Sequence, residues 1–133
     1  MLNYSPNVST KDSRGETIED LALVLKALSH HWRLKILNLL MEGVQCNCEI
    51  SQRLGLSLNL ISHHMRILRE AGLVQSERDV NDARWIYYSI DKDEVQDLAV
   101  KLSLLLDVSR IQPRSPSCGP QCCDTSHNRR EKK

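Results

Sequence analysis

The chain contains no phenylalanine and few aromatic residues of any kind. Aromatic side chains make up 4% of its 133 residues, with two Trp and three Tyr, so the core must be built mainly from Leu, Ile and Val. Hydrophobic residues form 41% and charged residues 26% of the sequence. This composition is typical of a globular protein rather than a disordered one, and the length fits one small domain.

Long hydrophobic runs are also absent. No apolar segment approaches the roughly 18–20 residues that a membrane-spanning helix needs. Residues 1–10 lack the basic and apolar regions of a secretory leader. We therefore expect no membrane partner, no Sec-type export and a cytoplasmic location.

The formal net charge of +1 is unevenly distributed. Residues 1–20 carry two basic and four acidic side chains, whereas residues 110–133 carry six basic and two acidic ones. A basic tail is a candidate for weak phosphate contact. A solvated tail that only aids solubility explains the same charges equally well.

Five cysteines form two tight groups, which contain Cys46 and Cys48, and Cys118, Cys122 and Cys123. An odd number of cysteines in a reducing compartment argues against a disulfide scaffold and for metal binding or redox chemistry. Buried structural thiols are the alternative, but these are usually scattered singly along a chain.

Hydrophobic periodicity predicts five helices and one β-hairpin. The first helix covers 18–28 and the second begins after a Ser29 cap. The third covers about 46–54, the fourth runs from a Ser57 cap to about 71, and the fifth begins after Asp91. Two extended runs at 73–78 and 84–90, joined by a turn-like segment, predict the hairpin. This order is typical of a mainly α winged helix-turn-helix. We predict a flexible arm at 1–15, one DNA-binding and dimerisation domain at 16–109, and a flexible tail at 110–133.

The fourth predicted helix has two different faces. Its apolar residues should pack inward: Leu60, Ile61, Met65 and Leu68. The residues that we assign to DNA binding lie at its start, on its polar side and beside the hairpin turn: Ser57, Asn59, Ser62, His63, His64, Arg66, Arg78 and Arg84. A recognition helix reads base edges with its N-terminal half. A solvated polar face is the alternative for the helix alone, and the hairpin that follows favours DNA binding.

Among the residues assigned to DNA binding, His64 has a different expected role. It follows His63 directly, so the two side chains point about 100° apart on a helix and cannot easily share one ion. We expect His64 to pack or to support a neighbour rather than to bind a metal.

The first and last helices carry apolar stripes too extensive for so small a monomer to bury. Pairing across a two-fold axis would bury Leu21, Leu25, Leu98, Leu102 and Leu105. Such a dimer would place two recognition helices on successive turns of a pseudo-palindromic double-stranded DNA site. Alternatively, these leucines only close the core of each monomer.

Three segments resemble those of ArsR/SmtB-family metalloregulators. Residues 27–37 read ALSHHWRLKIL, residues 57–74 read SLNLISHHMRILREAGLV, and residues 84–88 read RWIYY. They are similar to the family's second helix, its recognition helix and the returning strand of its wing, and the similarity covers about 18–106. The resemblance implies a homodimeric winged-helix repressor that leaves its operator when a metal or metalloid binds.

The first cysteine pair resembles the family's Cys-Val-Cys-Asp box, which responds to arsenite, antimonite, cadmium or lead. Soft thiolates select soft ions, so the chemistry agrees. The third sulfur of the best-known arsenite sensors falls here on Ser51, and Cys118, Cys122 and Cys123 are candidates to replace it, or to bind an ion by themselves.

Other inducers and cofactors fit the sequence less well. Family members that sense Cd(II) or Pb(II) at this box add N-terminal cysteines, and this arm has none. The family's zinc site uses histidines on the last helix, but residues 94–110 contain no His. We therefore expect As(III) or Sb(III) as the inducer, with Cd(II) or Pb(II) as the alternative, and no required cofactor.

The Cys-x-Cys spacing suggests a mechanism. On a regular helix the two sulfurs would lie about 200° apart, so one ion binds both only if the first turn of the third helix unwinds. We hypothesise that this distortion misplaces the recognition helix. A thiol redox switch on the same fold, in which Cys46 and Cys48 or Cys122 and Cys123 oxidise and change DNA binding, is the alternative. An enzyme is not expected, because the chain lacks a nucleophile–base set and a phosphate loop.

Overall fold

The computed structural model describes residues 18–116, 118 and 119. The helices are α1 Ile18–Leu28, α2 His31–Leu40, α3 Asn47–Leu54, α4 Leu58–Glu70 and α5 Lys92–Leu105, and the strands are β1 Gln45–Cys46, β2 Val74–Arg78 and β3 Ile86–Ile90. A short 3-10 helix, Val108–Arg110, follows α5. The predicted arm at 1–15 lies outside the described residues.

The helix-turn-helix is formed by α3, a turn at Gly55 and α4. Its core is aliphatic, as expected for a chain without phenylalanine, and Ile36, Ile50, Ile61 and Met65 are completely buried in it. These residues come from α2, α3 and α4, so the second helix holds the recognition helix at a fixed angle through side-chain packing. Because close-packed side chains transmit strain, a small displacement of one of these helices is passed on to the others.

The predicted hairpin is present and forms the wing. β2 and β3 are antiparallel, with Val74 opposite Ile90 and Arg78 opposite Ile86. A third strand, which the sequence analysis missed, pairs with the other edge of β3, so the sheet order is β1-β3-β2. The sheet therefore joins the residues before α3 directly to the wing.

Several predicted helix boundaries are confirmed and two are wrong. Ser57 caps α4 by accepting a hydrogen bond from the Leu60 N–H, and Asp91 caps α5. The cap of α2 is His30 rather than Ser29, because the His30 ring accepts a hydrogen bond from the Trp32 N–H. The third helix begins at Asn47 rather than at Cys46, which still belongs to β1.

The last helix contributes little to the core of a single chain. None of its residues is fully buried, although the partly buried Leu98 packs against the outside of the core. Near its end, Leu104, Leu105 and Leu106 are all exposed. None of the helices in the described part of the chain is long and apolar enough to span a bilayer.

Candidate DNA-binding face and thiol site

The N-terminal half of α4 presents short polar side chains to solvent. Ser57 uses its hydroxyl to accept a hydrogen bond from the Leu60 N–H at 3.2 Å, which fixes the start of the helix. Asn59, Ser62 and His63 are exposed along the next two turns, followed by Arg66. This face has the donors, acceptors and positive charge that base edges and phosphates require.

Two assignments on α4 need correction. Leu60 does not pack inward, since it is 45% exposed. His64, which we grouped with the DNA-binding residues, is only 4% exposed and lies on the buried side of the helix. Its imidazole therefore cannot reach a base edge without a rearrangement of the helix, and it belongs to the support of the recognition helix.

His64 contacts α2 through an imidazole cluster. Its Nδ1 lies 3.2 Å from Nη1 of Arg33, whose Nε donates to the Ala27 carbonyl at 2.5 Å. The ring centroids of His30 and His63 lie 4.8 and 5.2 Å from that of His64. Burial lowers the pKa of His64, and the charges of His30 and Arg33 lower it further. The neutral ring can then accept a hydrogen bond from the Arg33 guanidinium.

The wing turn is held by carboxylates. Asp79 accepts hydrogen bonds from the N–H groups of Asn81 and Asp82, and the Tyr87 hydroxyl donates to it at 3.3 Å. The Arg84 guanidinium beside Asp82, 2.8 Å away, holds the pKa of that carboxyl below its ordinary value. Both predicted wing arginines are exposed, and Arg78 donates to the Ala83 carbonyl across the turn.

The first cysteine pair lies where β1 becomes α3. Cys46 is the N-cap, with an extended backbone (φ −87°, ψ 160°), and Cys48 lies in the first helical turn. Both thiols are free; Cys46 is buried and Cys48 half-buried. The Glu49 carboxylate accepts a hydrogen bond from the Cys46 N–H at 2.8 Å, which fixes this junction. The expectation that both cysteines occupy a regular helix is therefore wrong.

The described residues provide two thiols but no third ligand. Ser51, at the place of the expected third sulfur, donates its hydroxyl proton to the Leu56 carbonyl at 2.5 Å. Within residues 18–116, 118 and 119 there is no group of three or more His, Cys, Asp or Glu able to hold a metal ion. Cys118 is disulfide-bonded, and Cys122 and Cys123 lie outside the described residues.

Sequence reasoning missed Asn47, which lies between the two cysteines. Its amide nitrogen donates to the Arg84 carbonyl at 3.3 Å, and its Oδ1 accepts a hydrogen bond from the Ile86 N–H at 3.5 Å. The two partners are 37 and 39 residues away in sequence. No local pattern predicts such a contact, because it depends on β1 pairing with β3.

A helix-turn-helix with a polar recognition helix and an arginine-bearing wing defines a DNA-binding protein. Residues 32–76 match the model of the bacterial regulatory protein, arsR family. The chain belongs to the ArsR family, and it is a DNA-binding transcriptional regulator rather than an enzyme. The matched residues include α3, α4 and the start of the wing.

Two relatives from Staphylococcus aureus are named for metal or metalloid resistance. The chain is 33% identical to a cadmium resistance transcriptional regulatory protein, CadC homolog, over 74% of its own length and 79% of the relative's. It is 34% identical to an arsenical resistance operon repressor, over 62% and 80%.

Solved structures agree with the fold. An ArsR-like transcriptional regulator from Rhodococcus sp. RHA1 superposes with a TM-score of 0.59 at 30% identity, covering 70% of this chain and 86% of that one. A possible ArsR-family regulator from Mycobacterium bovis, whose winged helix-turn-helix domain is homodimeric, has a TM-score of 0.54 at 24% identity, covering 87% and 100%.

Proposed function

We propose that this chain is a homodimeric repressor that releases its operator when As(III) or Sb(III) binds the Cys46 and Cys48 thiolates. The observation that carries the proposal is the position of these two free thiols, at the start of the helix that supports the recognition helix. An ion that rearranges this junction acts on the DNA-binding unit directly. The arsenical and cadmium resistance relatives support a soft inducer.

DNA binding is assigned to exposed residues of α4 and the wing. The set is Ser57, Asn59, Ser62, His63, Arg66, Arg78 and Arg84. The short polar side chains on α4 suit base edges in the major groove, while the arginines suit phosphates or a minor groove. His64 is left out of this set because it is buried.

The dimer is supported by the apolar surface of α1 and α5. Leu21, Leu25, Leu98 and Leu102 are only half-buried in the single chain, and Leu105 is 40% exposed. A two-fold arrangement would cover them and present two α4 helices to a pseudo-palindromic site. The homodimeric relative from Mycobacterium bovis has the same fold.

The third ligand to As(III) is proposed to come from Cys118, Cys122 or Cys123 of either subunit. Thiolates are the bonding form, so the disulfide at Cys118 must be reduced before that residue can serve. Cd(II) or Pb(II) is the alternative inducer for the same pair.

Fluorescence anisotropy on DNA from upstream of the gene tests the proposal. The reduced protein is titrated with arsenite, antimonite, Cd²⁺ and Zn²⁺ at fixed salt, because affinity depends on ionic strength. We expect arsenite to release the DNA from the wild-type protein and from a Ser51→Ala control, but not from Cys46→Ser or Cys48→Ser. Binding that ignores all four ions would contradict the proposal.

A thiol redox switch is the second candidate, and the disulfide at Cys118 favours it. In this case peroxide alone would change DNA affinity, and dithiothreitol would restore it. Cys118→Ser would remove the response, whereas Cys46→Ser would leave it unchanged. The two candidates therefore differ at Cys46, which the metalloid sensor requires and the redox switch does not.

A further inference from the structure

Asn47 joins the cysteine pair to the wing. It is the single residue between Cys46 and Cys48, and its side-chain nitrogen donates to the Arg84 carbonyl at 3.3 Å. Its Oδ1 accepts hydrogen bonds from the Cys48 N–H at 3.0 Å and from the Ile86 N–H at 3.5 Å. One side chain thus contacts both the first turn of α3 and the wing beside its turn.

The sheet register explains this contact. Gln45 pairs with Tyr88 and Cys46 with Tyr87, so the next step along β1 would place residue 47 opposite Ile86. The backbone turns into α3 at Asn47 instead. The Asn47 amide takes the place of a further backbone pair, and it contacts β3 at the end that follows the wing turn.

Ion binding at the two cysteines acts on the same short stretch of backbone that carries Asn47. The backbone is extended at Cys46 and becomes helical at Asn47, the first residue of α3, so the two cysteines lie on either side of this change. Apart from side-chain torsions, the separation of the two sulfurs changes only by rotation about the backbone bonds on either side of Asn47. The side chain that holds Arg84 and Ile86 is attached at the same point, so its hydrogen bonds change with that rotation.

We propose that Asn47 transmits occupation of the Cys46–Cys48 pair to the wing, by releasing Arg84 and Ile86 when the thiolates close on an ion. This inference rests on the proposed function. Loss of the Asn47 hydrogen bond loosens the backbone at Arg84. This matters for DNA binding because Arg84 carries one of the two wing guanidinium groups assigned to DNA. Valine, which stands at this place in the Cys-Val-Cys-Asp box that the segment resembles, has no side-chain donor or acceptor. The link is therefore specific to a chain with asparagine here.

The test compares four full-length, reduced proteins: wild type, Asn47→Val, Asn47→Ala and the control Gln52→Ala, which changes an exposed amide on the same helix. Arsenite and Cd²⁺ are the probes. Thiolate binding is followed by near-ultraviolet absorption, DNA affinity by anisotropy, and the amide signals of Arg84 and Ile86 by NMR. Asn47→Ala shows whether any effect of valine comes from its branched side chain.

We expect each probe that binds to lower the DNA affinity of the wild type and of Gln52→Ala by about 5–150-fold, and to shift the Ile86 amide signal. In both Asn47 variants the ions should bind as in wild type, but the loss of DNA affinity should be several-fold smaller. The Ile86 amide of these variants should already resemble the ion-loaded wild type before any ion is added.

The outcomes separate this inference from the proposed function. If the wild type binds neither ion through its thiols, or binds without releasing DNA, both are overturned. If the wild type releases DNA and the Asn47 variants release it by the same factor, the role of Asn47 alone is overturned. A lower affinity of the ion-free variants with an unchanged ion response would also overturn it, because that result describes a merely structural residue.

Discussion

At the scale of single residues, the buried imidazole of His64 makes stability depend on pH. The group accepts a hydrogen bond from Arg33 only when its Nδ1 is unprotonated. Protonation would bring two positive charges together in a site with little water. The surroundings of His64 therefore favour its neutral form in the folded chain, and the unfolded chain binds the proton more readily.

The sign of the pH effect follows from this difference. The pKa of His64 is lowered in the folded state, so the unfolded chain takes up more protons as the pH falls below about 6.5. The free energy of unfolding should be greatest above that pH and should fall toward pH 5.5. One such histidine changes the free energy of unfolding by at most about 1.4 kcal/mol per pH unit, over the range in which it is protonated in the unfolded chain but neutral in the folded one.

His64→Asn tests this prediction, because asparagine offers Arg33 an oxygen acceptor but does not titrate. Urea unfolding at pH 7.5 and pH 5.5 should show a smaller loss of stability in the variant than in the wild type. The pKa of His30 is also lowered, by desolvation and then by Arg33, so some dependence should remain. Equal losses in both proteins would contradict the assignment, and circular dichroism at pH 7.5 checks that the variant folds.

Asn59 and Arg66 should affect DNA binding in different ways. Asn59 is proposed to read a base edge, so Asn59→Ala should cost about 1–3 kcal/mol on the operator, with little change on unrelated DNA. Arg66 is proposed to contact a phosphate, so Arg66→Ala should weaken binding to all sequences and reduce the salt slope by about one. Gln96→Ala on α5 is the control. Anisotropy on operator and scrambled DNA at several salt concentrations measures both effects, and identical behaviour of the two variants would exclude these roles.

The individual residues show where sequence reasoning fails. Adjacent histidines point about 100° apart on a helix; the expectation that His64 packs was confirmed, whereas its assignment to DNA binding was wrong. The sequence could not show that Arg33, 31 residues earlier, is the neighbour of His64. Leu60 was assigned to the core because it is apolar, yet its position on α4 faces solvent.

At the scale of elements, the turn between α3 and α4 depends on the backbone of Gly55. Its φ of +69° is left-handed, and its N–H donates to the Ser51 carbonyl at the end of α3. A Cβ added there would meet no atom within 4 Å, so the cost of a side chain is conformational rather than steric. Gly55→Ala should therefore destabilise the fold by roughly 1–2 kcal/mol.

The matched variant is Gly55→Asn, since asparagine adopts the left-handed conformation more readily than alanine. Urea unfolding should rank the wild type first, asparagine second and alanine last. If alanine were as stable as glycine, the turn would not require a positive φ in solution.

Helices with a clear 3.6-residue pattern and the two wing strands were predicted from the sequence, because one face of each packs on the core. β1 was not, since two residues are too short for any alternation to be recognised. That omission also placed Cys46 inside a helix and so gave a wrong geometry for the cysteine pair. The distortion of α3 was therefore inferred from a helical Cys46, whereas the backbone at Cys46 is extended.

At the scale of the whole molecule, the exposed leucines of α5 predict that two chains associate. A single chain leaves three consecutive leucines exposed near the end of this helix, and clustered apolar surface of this kind is typical of an interface. Leu105→Glu should split the dimer without unfolding the chain, because Leu105 is 40% exposed before association. Val80→Glu, at a wing residue that is 94% exposed, introduces the same charge away from the interface.

Sedimentation at micromolar concentration measures the result. The wild type and Val80→Glu should sediment at twice the mass of one chain, and Leu105→Glu at the mass of one chain with an unchanged circular dichroism spectrum. Because a dimer engages both half-sites at once, the monomeric variant should also lose about 100-fold or more in affinity for the full operator, while its affinity for a single half-site changes little. A wild type that sediments as one chain would remove the two-fold arrangement, and with it the reason to expect a pseudo-palindromic site.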